Sequence, residues 1–292
     1  MQRYSIKDLE RLSGIKAHTL RIWEKRYNIF SPLRTDTNIR YYSNDDIRKL
    51  LNIKTLLDSG LKISKISQLT DTELHHKIKE ELKKSEPAPY NTYIYEFMDA
   101  MLSISEEKFH TLFSSCVLKF GFYETMVQIV YPFLYKVGLL WTIEKVIPLQ
   151  EHFASCLIKQ KLNSAIDGLN VEPNPKPKKF LLFLNQHEEH EIALLFASYI
   201  IRSAGHKVVY LGPRVPTDNL IKLKEEFPDF QLLTYLTNQL TEEENEEIFG
   251  RLSKELPHKN VYVAGCEELI QKLLHYPGIK FLNSLEDLKS IL

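Results

Sequence analysis

Phe180-Leu-Leu-Phe-Leu184, followed at once by Asn185-Gln-His-Glu-Glu-His190, decides how the last third of this chain folds. Five apolar residues in a row, without polar alternation, describe a strand covered on both faces. Four more short β-runs follow: KVVYL at 207–211, QLLTYL at 231–236, NVYVAG at 260–265 and IKFL at 279–282. Each is succeeded by a helical pattern. Thr241-x-x-Glu244 reads as a cap for one of these helices, with Ile248, Leu252 and Leu256 on its inner face. Five β-α units with non-alternating strands predict a doubly wound parallel sheet.

Working outward, residues 178–292 form this flavodoxin-like domain, and Pro173, Pro175 and Pro177 precede it. Prolines at alternate positions favour extended chain, so 168–179 is predicted to be a semi-rigid spacer. Residues 90–167 are helical by periodicity, with breaks near Ser103, Gly121 and between Trp141 and Pro148, which predicts a four-helix bundle. Before it, residues 1–84 read as a winged helix-turn-helix. Ser5 precedes Ile6, Leu9 and Leu12, and that stripe ends at Ser13-Gly14. A second helix over about 16–27 places Leu20, Trp23 and Tyr27 on one face. Ser43-x-x-Asp46 opens a third, with Ile47, Leu50, Leu51 and Leu57 inward and Gly60 at its end. Between the second and third, SPLRTDTNIRYY has turn residues at its middle and β-formers at its ends, the pattern of a hairpin wing.

The chain has 292 residues, 43% hydrophobic, and its 38 basic side chains balance 38 acidic ones. That zero hides an asymmetry: residues 1–70 carry 14 Lys/Arg against 7 Asp/Glu, leaving 24 against 31 for the rest. A basic first unit suits a polyanionic partner. No run approaches the roughly 18 apolar residues of a membrane span, and the N-terminus has no apolar signal core. Cys116, Cys156 and Cys266 lie far apart with no C-x-x-C, which excludes a disulfide framework and points to a reducing cytoplasm.

Ligands of doubly wound sheets bind beyond the carboxyl ends of the strands. The residues there exclude several chemistries. No G-x-G-x-x-G follows the first strand, there is no P-loop, and no Ser or Cys sits on a nucleophile elbow. Histidine and carboxylates remain. His190 is expected to open the first helix, and Glu188 can fix one of its ring nitrogens so that the other meets a metal. His187 and His190 are three apart, a spacing a bare Zn or Fe site can use, yet no third ligand is evident. A solvated acidic loop is the plain alternative.

The first segment resembles the MerR family of winged-helix transcription regulators. His18-Thr19-Leu20-Arg21-Ile22-Trp23-Glu24-Lys25-Arg26-Tyr27 matches the W-E-x-R-Y variant of its second helix, and Arg40-Tyr41-Tyr42-Ser43 matches the strand entering its third. On this reading Lys16, His18, Thr19 and Arg21 reach base edges or phosphates in the major groove of promoter DNA. Arg34, Asn38 and Arg40 in the wing hold flanking phosphates, with Ile39 where the family has a minor-groove histidine. Trp23 and Tyr27 are expected in the core. Residues 64–84 supply only a short Lys-rich helix before Pro87, too short for a long coiled coil, so self-association as a homodimer or homotetramer is expected from the later domains.

The remainder resembles cobalamin-binding regulators of the CarH/LitR type, in which a helical bundle and a flavodoxin-like domain clamp the corrinoid. The family's E-x-H-x-x-G stands as Glu188-Glu-His190-Glu-Ile-Ala193, which implies His190 as the cobalt ligand. Its W-x9-E-H is complete in Trp141, Glu151 and His152, implying a cap over the upper corrin face. The tail-binding motif stands as Thr234-x-Leu236 and Ala264-Gly265. Ala193 and Ala264 replace glycines that admit the tail, each adding a methyl group. Thr142 stands where light-sensing members have histidine, so a bis-histidine photoproduct is not available.

The resemblance implies a non-enzymatic, cytoplasmic DNA-binding regulator that senses adenosylcobalamin or methylcobalamin, with RNA polymerase as a further candidate partner and no membrane contact. Two alternatives stay open: a cofactor-free sensor answering to a protein partner, and a corrinoid carrier for methyl transfer.

Overall fold

The computed structural model describes residues 4–30, 32–34, 40–83, 90–141, 148–223, 229–256, 261–265 and 267–292. The chain forms two compact units, Met1–Leu157 and Ile158–Leu292.

In the first unit, α1 (Ile6–Ser13) opens with a capping box between Ser5 and Asp8 and stops at Gly14, whose φ of 72° ends the helix in a left-handed turn. α2 (Ala17–Tyr27) follows after that turn, and Asn28 (φ 51°) closes it. The wing is an antiparallel pair, β1 (Leu33–Arg34) and β2 (Arg40–Tyr41). Ser43 and Asp46 form the reciprocal cap that starts α3 (Asn44–Asp58). Ile47, Leu50 and Leu51 point inward as predicted, together with Ile53 and Leu56, whereas Leu57, also predicted inward, is only half-buried. Trp23 and Tyr27 are only half-buried; of α2, Leu20 alone is in the core. α4 (Ile63–Ile66) and the thirteen-residue α5 (Asp71–Lys83) complete this part, α5 packing Leu74 and Ile78 inward.

Four helical stretches follow: α6 (Tyr90–Leu102), α7 (Glu106–Phe120), then α8 (Phe122–Thr125) running through a π turn (Met126–Val130) into α9 (Tyr131–Trp141), and α10 (Pro148–Asp167). Their core is aromatic. The Phe97 ring lies 4.8 Å from Phe109 and 5.8 Å from Phe133. α6 also packs against α3, so the winged helix and the start of the bundle share one compact body.

In the second unit the five parallel strands are β3 (Lys179–Asn185), β4 (Lys207–Val215), β5 (Phe230–Leu236), β6 (Val261–Gly265) and β7 (Ile279–Leu282), in the order β4-β3-β5-β6-β7. The connecting helices are α11 (Ile192–Ser203), α12 (Thr217–Lys222), α13 (Glu242–Asn245) continuing through a π turn (Glu246–Gly250) into α14 (Arg251–Glu255), and α15 (Glu267–Gln271). α16 (Leu285–Ser290) ends the chain. The Thr241–Glu244 capping box is present. The proline-rich stretch departs from expectation. It lies against the turn before β4: Asn174 N donates to Gly205 O at 3.0 Å, and Lys178 N donates to His206 Nδ1 at 3.2 Å. Gly205 (φ 77°) permits this approach, since a Cβ there would stand 2.6 Å from Asn174 N.

Candidate cofactor site and nucleic-acid interface

With β4 on one side of β3 and β5 on the other, the connections after β3 and β5 leave in opposite directions and open a crevice at the carboxyl edge of the sheet. Glu188 sits in that crevice, 1% exposed, although a carboxylate is costly to bury alone. Its partners account for it. Oε1 accepts the backbone N–H groups of Glu189 and His190, both at 2.9 Å, and faces His190 Nδ1 at 2.6 Å. Oε2 accepts the Thr237 backbone N–H at 3.1 Å, the Thr237 hydroxyl, and the Asn238 N–H at 3.3 Å. Burial by itself pushes this carboxyl up, but the hydrogen bonds from His190 and Thr237 outweigh it and hold the pKa near about 2. Glu188 is therefore a fixed anion joining the two diverging connections.

His190 is not on the helix. It lies in the loop two residues before α11, with its side chain 65% exposed and Nδ1 directed to Glu188. Nε2 consequently faces away from Glu188, the arrangement of a metal-binding imidazole oriented by a carboxylate. Neighbouring bonds brace the loop. Arg214 N donates to Glu188 O at 3.2 Å, and the Arg214 guanidinium pairs with Glu189. Glu191 receives the Tyr210 hydroxyl at 3.1 Å and lies 3.4 Å from Lys159 Nζ. His187 does not join His190; it pairs with Glu244 at 3.7 Å. Among the described residues no three His, Cys, Asp or Glu side chains form a metal cluster, so the bare Zn or Fe reading fails there.

Thr234, Leu236 and Ala264 are buried on neighbouring strands, and Leu236 pairs in register with Gly265. The Thr234 hydroxyl is fully buried without a hydrogen-bond partner, as are Asn185 Nδ2 at the end of β3 and the Thr217 hydroxyl after β4. Buried polar atoms normally find partners. Three orphans along the carboxyl ends of adjacent strands fit a polar ligand segment entering the sheet edge. Gly265 has a different explanation from close ligand approach: a Cβ there would lie 2.5 Å from Leu236 O, so the sheet itself requires glycine. Ala193 lies half-buried on the first turn of α11.

The other candidates belong to the first unit. Glu151 stands in the first turn of α10, and His152 beside it is exposed, with its Nδ1 3.4 Å from Glu151 Oε2. Trp141 ends α9; its side chain and Thr142 lie outside the described residues.

On the winged helix, His18, Arg21 and Lys25 are exposed on α2, and Thr19 is half-buried. Lys16 precedes the helix and pairs with Glu10 at 3.1 Å, while Glu10 also receives the Ala17 N–H at 3.1 Å. An open groove between α2 and the wing is lined by Arg21, Glu24, Lys25, Arg34 and Arg40. Asn38 and Ile39 lie outside the described residues. Sequence reasoning missed Lys25, Glu24, Thr237 and Asn238. Thr237 and Asn238 directly follow β5 at the strand-order reversal, which was the available signal.

A basic helix-turn-helix with a wing, carried by a chain that ends in a doubly wound sheet, defines a two-part DNA-binding regulator. Residues 4–73 match the MerR HTH family regulatory protein family. Along most of its length the chain is similar to the HTH-type transcriptional repressor CarH of Myxococcus xanthus, 26% identical over 273 residues, covering 90% of this chain and 89% of that one. The HTH-type transcriptional repressor CarA of the same organism is 25% identical over 213 residues, 72% of this chain and 68% of CarA. The Methanosarcina barkeri monomethylamine corrinoid protein shares the fold, with a TM-score of 0.53 at 14% identity, over 69% of this chain and 98% of that one. Residues 4–73 are thus a MerR-type helix-turn-helix domain, within a chain similar to these repressors beyond it.

Proposed function

We propose that this regulator binds promoter DNA through its winged helix and senses a corrinoid, adenosylcobalamin or methylcobalamin, at the carboxyl edge of its sheet. The observation that carries the reading is the Glu188–His190 pair: a buried carboxylate holding one imidazole nitrogen so that the other faces outward. When bound, the corrinoid would supply a cobalt centre, and His190 would hold it. Glu188 accepts a hydrogen bond from Nδ1 and orients the ring, and Thr237 and Asn238 hold Glu188 in place. Thr234, whose buried hydroxyl has no partner, would hold the nucleotide tail together with Leu236, Ala264, Gly265 and Ala193. Trp141, Glu151 and His152 would be the bundle's contribution to holding the corrinoid.

Lys16, His18, Thr19 and Arg21 contact DNA from α2, and Arg34, Asn38 and Arg40 from the wing. The protein works in the cytoplasm as a homodimer or homotetramer formed by the bundle and sheet domains, within reach of RNA polymerase. Ligand state changes how those domains associate, and association sets how many winged helices engage DNA at once.

Ala193 and Ala264 favour one second reading, a cofactor-free sensor answering to a protein partner, because each narrows the tail pocket by a methyl group. The two readings separate in one absorption spectrum, taken on the full chain after incubation with adenosylcobalamin and desalting. Corrin absorbance retained by the wild type and lost in His190→Ala supports the sensor. No retained absorbance in either sample supports the cofactor-free reading.

A further inference from the structure

The groove between α2 and the wing presents four cations, Arg21, Lys25, Arg34 and Arg40, and one carboxylate, Glu24. An acid facing a polyanion weakens binding by repulsion, so its presence needs a reason. Glu24 reaches across the groove. Its Oε1 accepts Arg40 Nε at 3.0 Å and its Oε2 accepts the Tyr42 hydroxyl at 2.9 Å, sixteen and eighteen residues further along the chain. The Glu24 side chain is 16% exposed and Tyr42 is fully buried. Tyr42 is fixed in turn by paired backbone hydrogen bonds with Tyr4, at 2.9 and 2.8 Å. Both carboxylate oxygens of the second helix thus meet the strand that leaves the wing.

We propose that Glu24 is a positioning residue for DNA recognition. It fixes the wing at a set distance from α2 and takes only the Nε edge of Arg40, which leaves the Nη donors to grip a phosphate while α2 reads bases. The inference rests on the assignment of α2 and Arg40 to DNA. It predicts effects of opposite sign: losing Glu24 removes a repulsive charge yet blurs the geometry that distinguishes one sequence from another.

The test uses the full chain, a duplex selected by the wild type from a random pool, and the same duplex with its base order shuffled, both followed by fluorescence anisotropy. Glu24→Ala is expected to bind the selected duplex about tenfold more weakly and the shuffled duplex equally or about twofold more tightly. In an Arg40→Ala background, Glu24→Ala should change binding of the selected duplex by less than about twofold. Glu24→Gln keeps an acceptor for Tyr42 and should lie between. Equal losses on both duplexes, or an undiminished loss in the Arg40→Ala background, overturn the proposal. If Glu24→Ala does not fold, Tyr42→Phe takes its place, and the same split between duplexes is required of it. A wild type that enriches no duplex defeats the DNA assignment itself, and this inference with it.

Discussion

The guanidinium of Arg48, on the third helix of the winged domain, meets the carboxylate of Asp99, on the first bundle helix, at 2.5 Å where the Asp99 side chain is 2% exposed. Lys108 Nζ reaches the other Asp99 oxygen at 2.5 Å and Glu96 Oε2 at 2.7 Å. Nearby, Lys136 Nζ donates to Leu12 O at 3.2 Å, a second polar tie from bundle to winged helix. The winged helix is thus joined to the bundle by a largely buried ionic cluster as well as by the chain.

Removing Asp99 leaves Arg48 and Lys108 facing each other without their shared anion. Asp99→Ala should lower the stability of the first unit by about 3 kcal/mol. Both tryptophans, Trp23 and Trp141, belong to that unit, so fluorescence-detected urea unfolding of the full chain reports it. An unchanged midpoint would show that the cluster contributes nothing.

The same cluster sets a pH dependence. Burial raises the Asp99 pKa, but the Lys108 charge and the hydrogen bonds from Arg48 and Lys108 outweigh it and leave the carboxyl below its ordinary value. A folded-state pKa below the unfolded one contributes stability at pH values above the unfolded carboxylate pKa of about 3.9 and loses it as pH falls through the folded value. Acidification below about pH 4 should therefore destabilise the wild type more steeply than Asp99→Asn. Parallel curves for the two proteins would contradict the assignment.

Gly205→Ala places a methyl in a residue of positive φ and against the Asn174 backbone. A loss of at least about 2 kcal/mol is expected, with earlier proteolysis in the 172–178 stretch once it lifts from the turn. If the variant melts with the wild type and is cut no faster, the proline-rich stretch is not held by this contact.

Thr237→Val removes a hydroxyl from the Glu188 cage but keeps its size and the backbone donor. Corrinoid affinity, measured by titrating the absorption change, should fall about tenfold, less than the loss for His190→Ala. Equal affinity in Thr237→Val and wild type would mean that the cage does not orient His190.

Local rules carried the sequence reading far. Ser5–Asp8, Ser43–Asp46 and Thr241–Glu244 form their caps because a cap depends on residues three apart, and the five strands appear because continuous apolar runs need two covered faces. Glu188 and His190 were legible for the same reason, two residues apart in one loop. What escaped depends on distant pairing. Thr237 lies 49 residues beyond Glu188, and Arg40 bonds Glu24 through a hairpin whose register no local pattern fixes. Leu57, seven residues after Leu50, falls on the inward face by spacing alone, but packing against neighbours buries Leu56 instead.

The most direct test of the central claim is the affinity of the full chain for a wild-type-selected duplex, measured with and without saturating adenosylcobalamin, in wild type and His190→Ala. The account predicts a change of at least about tenfold on adding the corrinoid to the wild type, in either direction, and none for His190→Ala. Identical affinities for corrin-loaded and corrin-free wild type would contradict it.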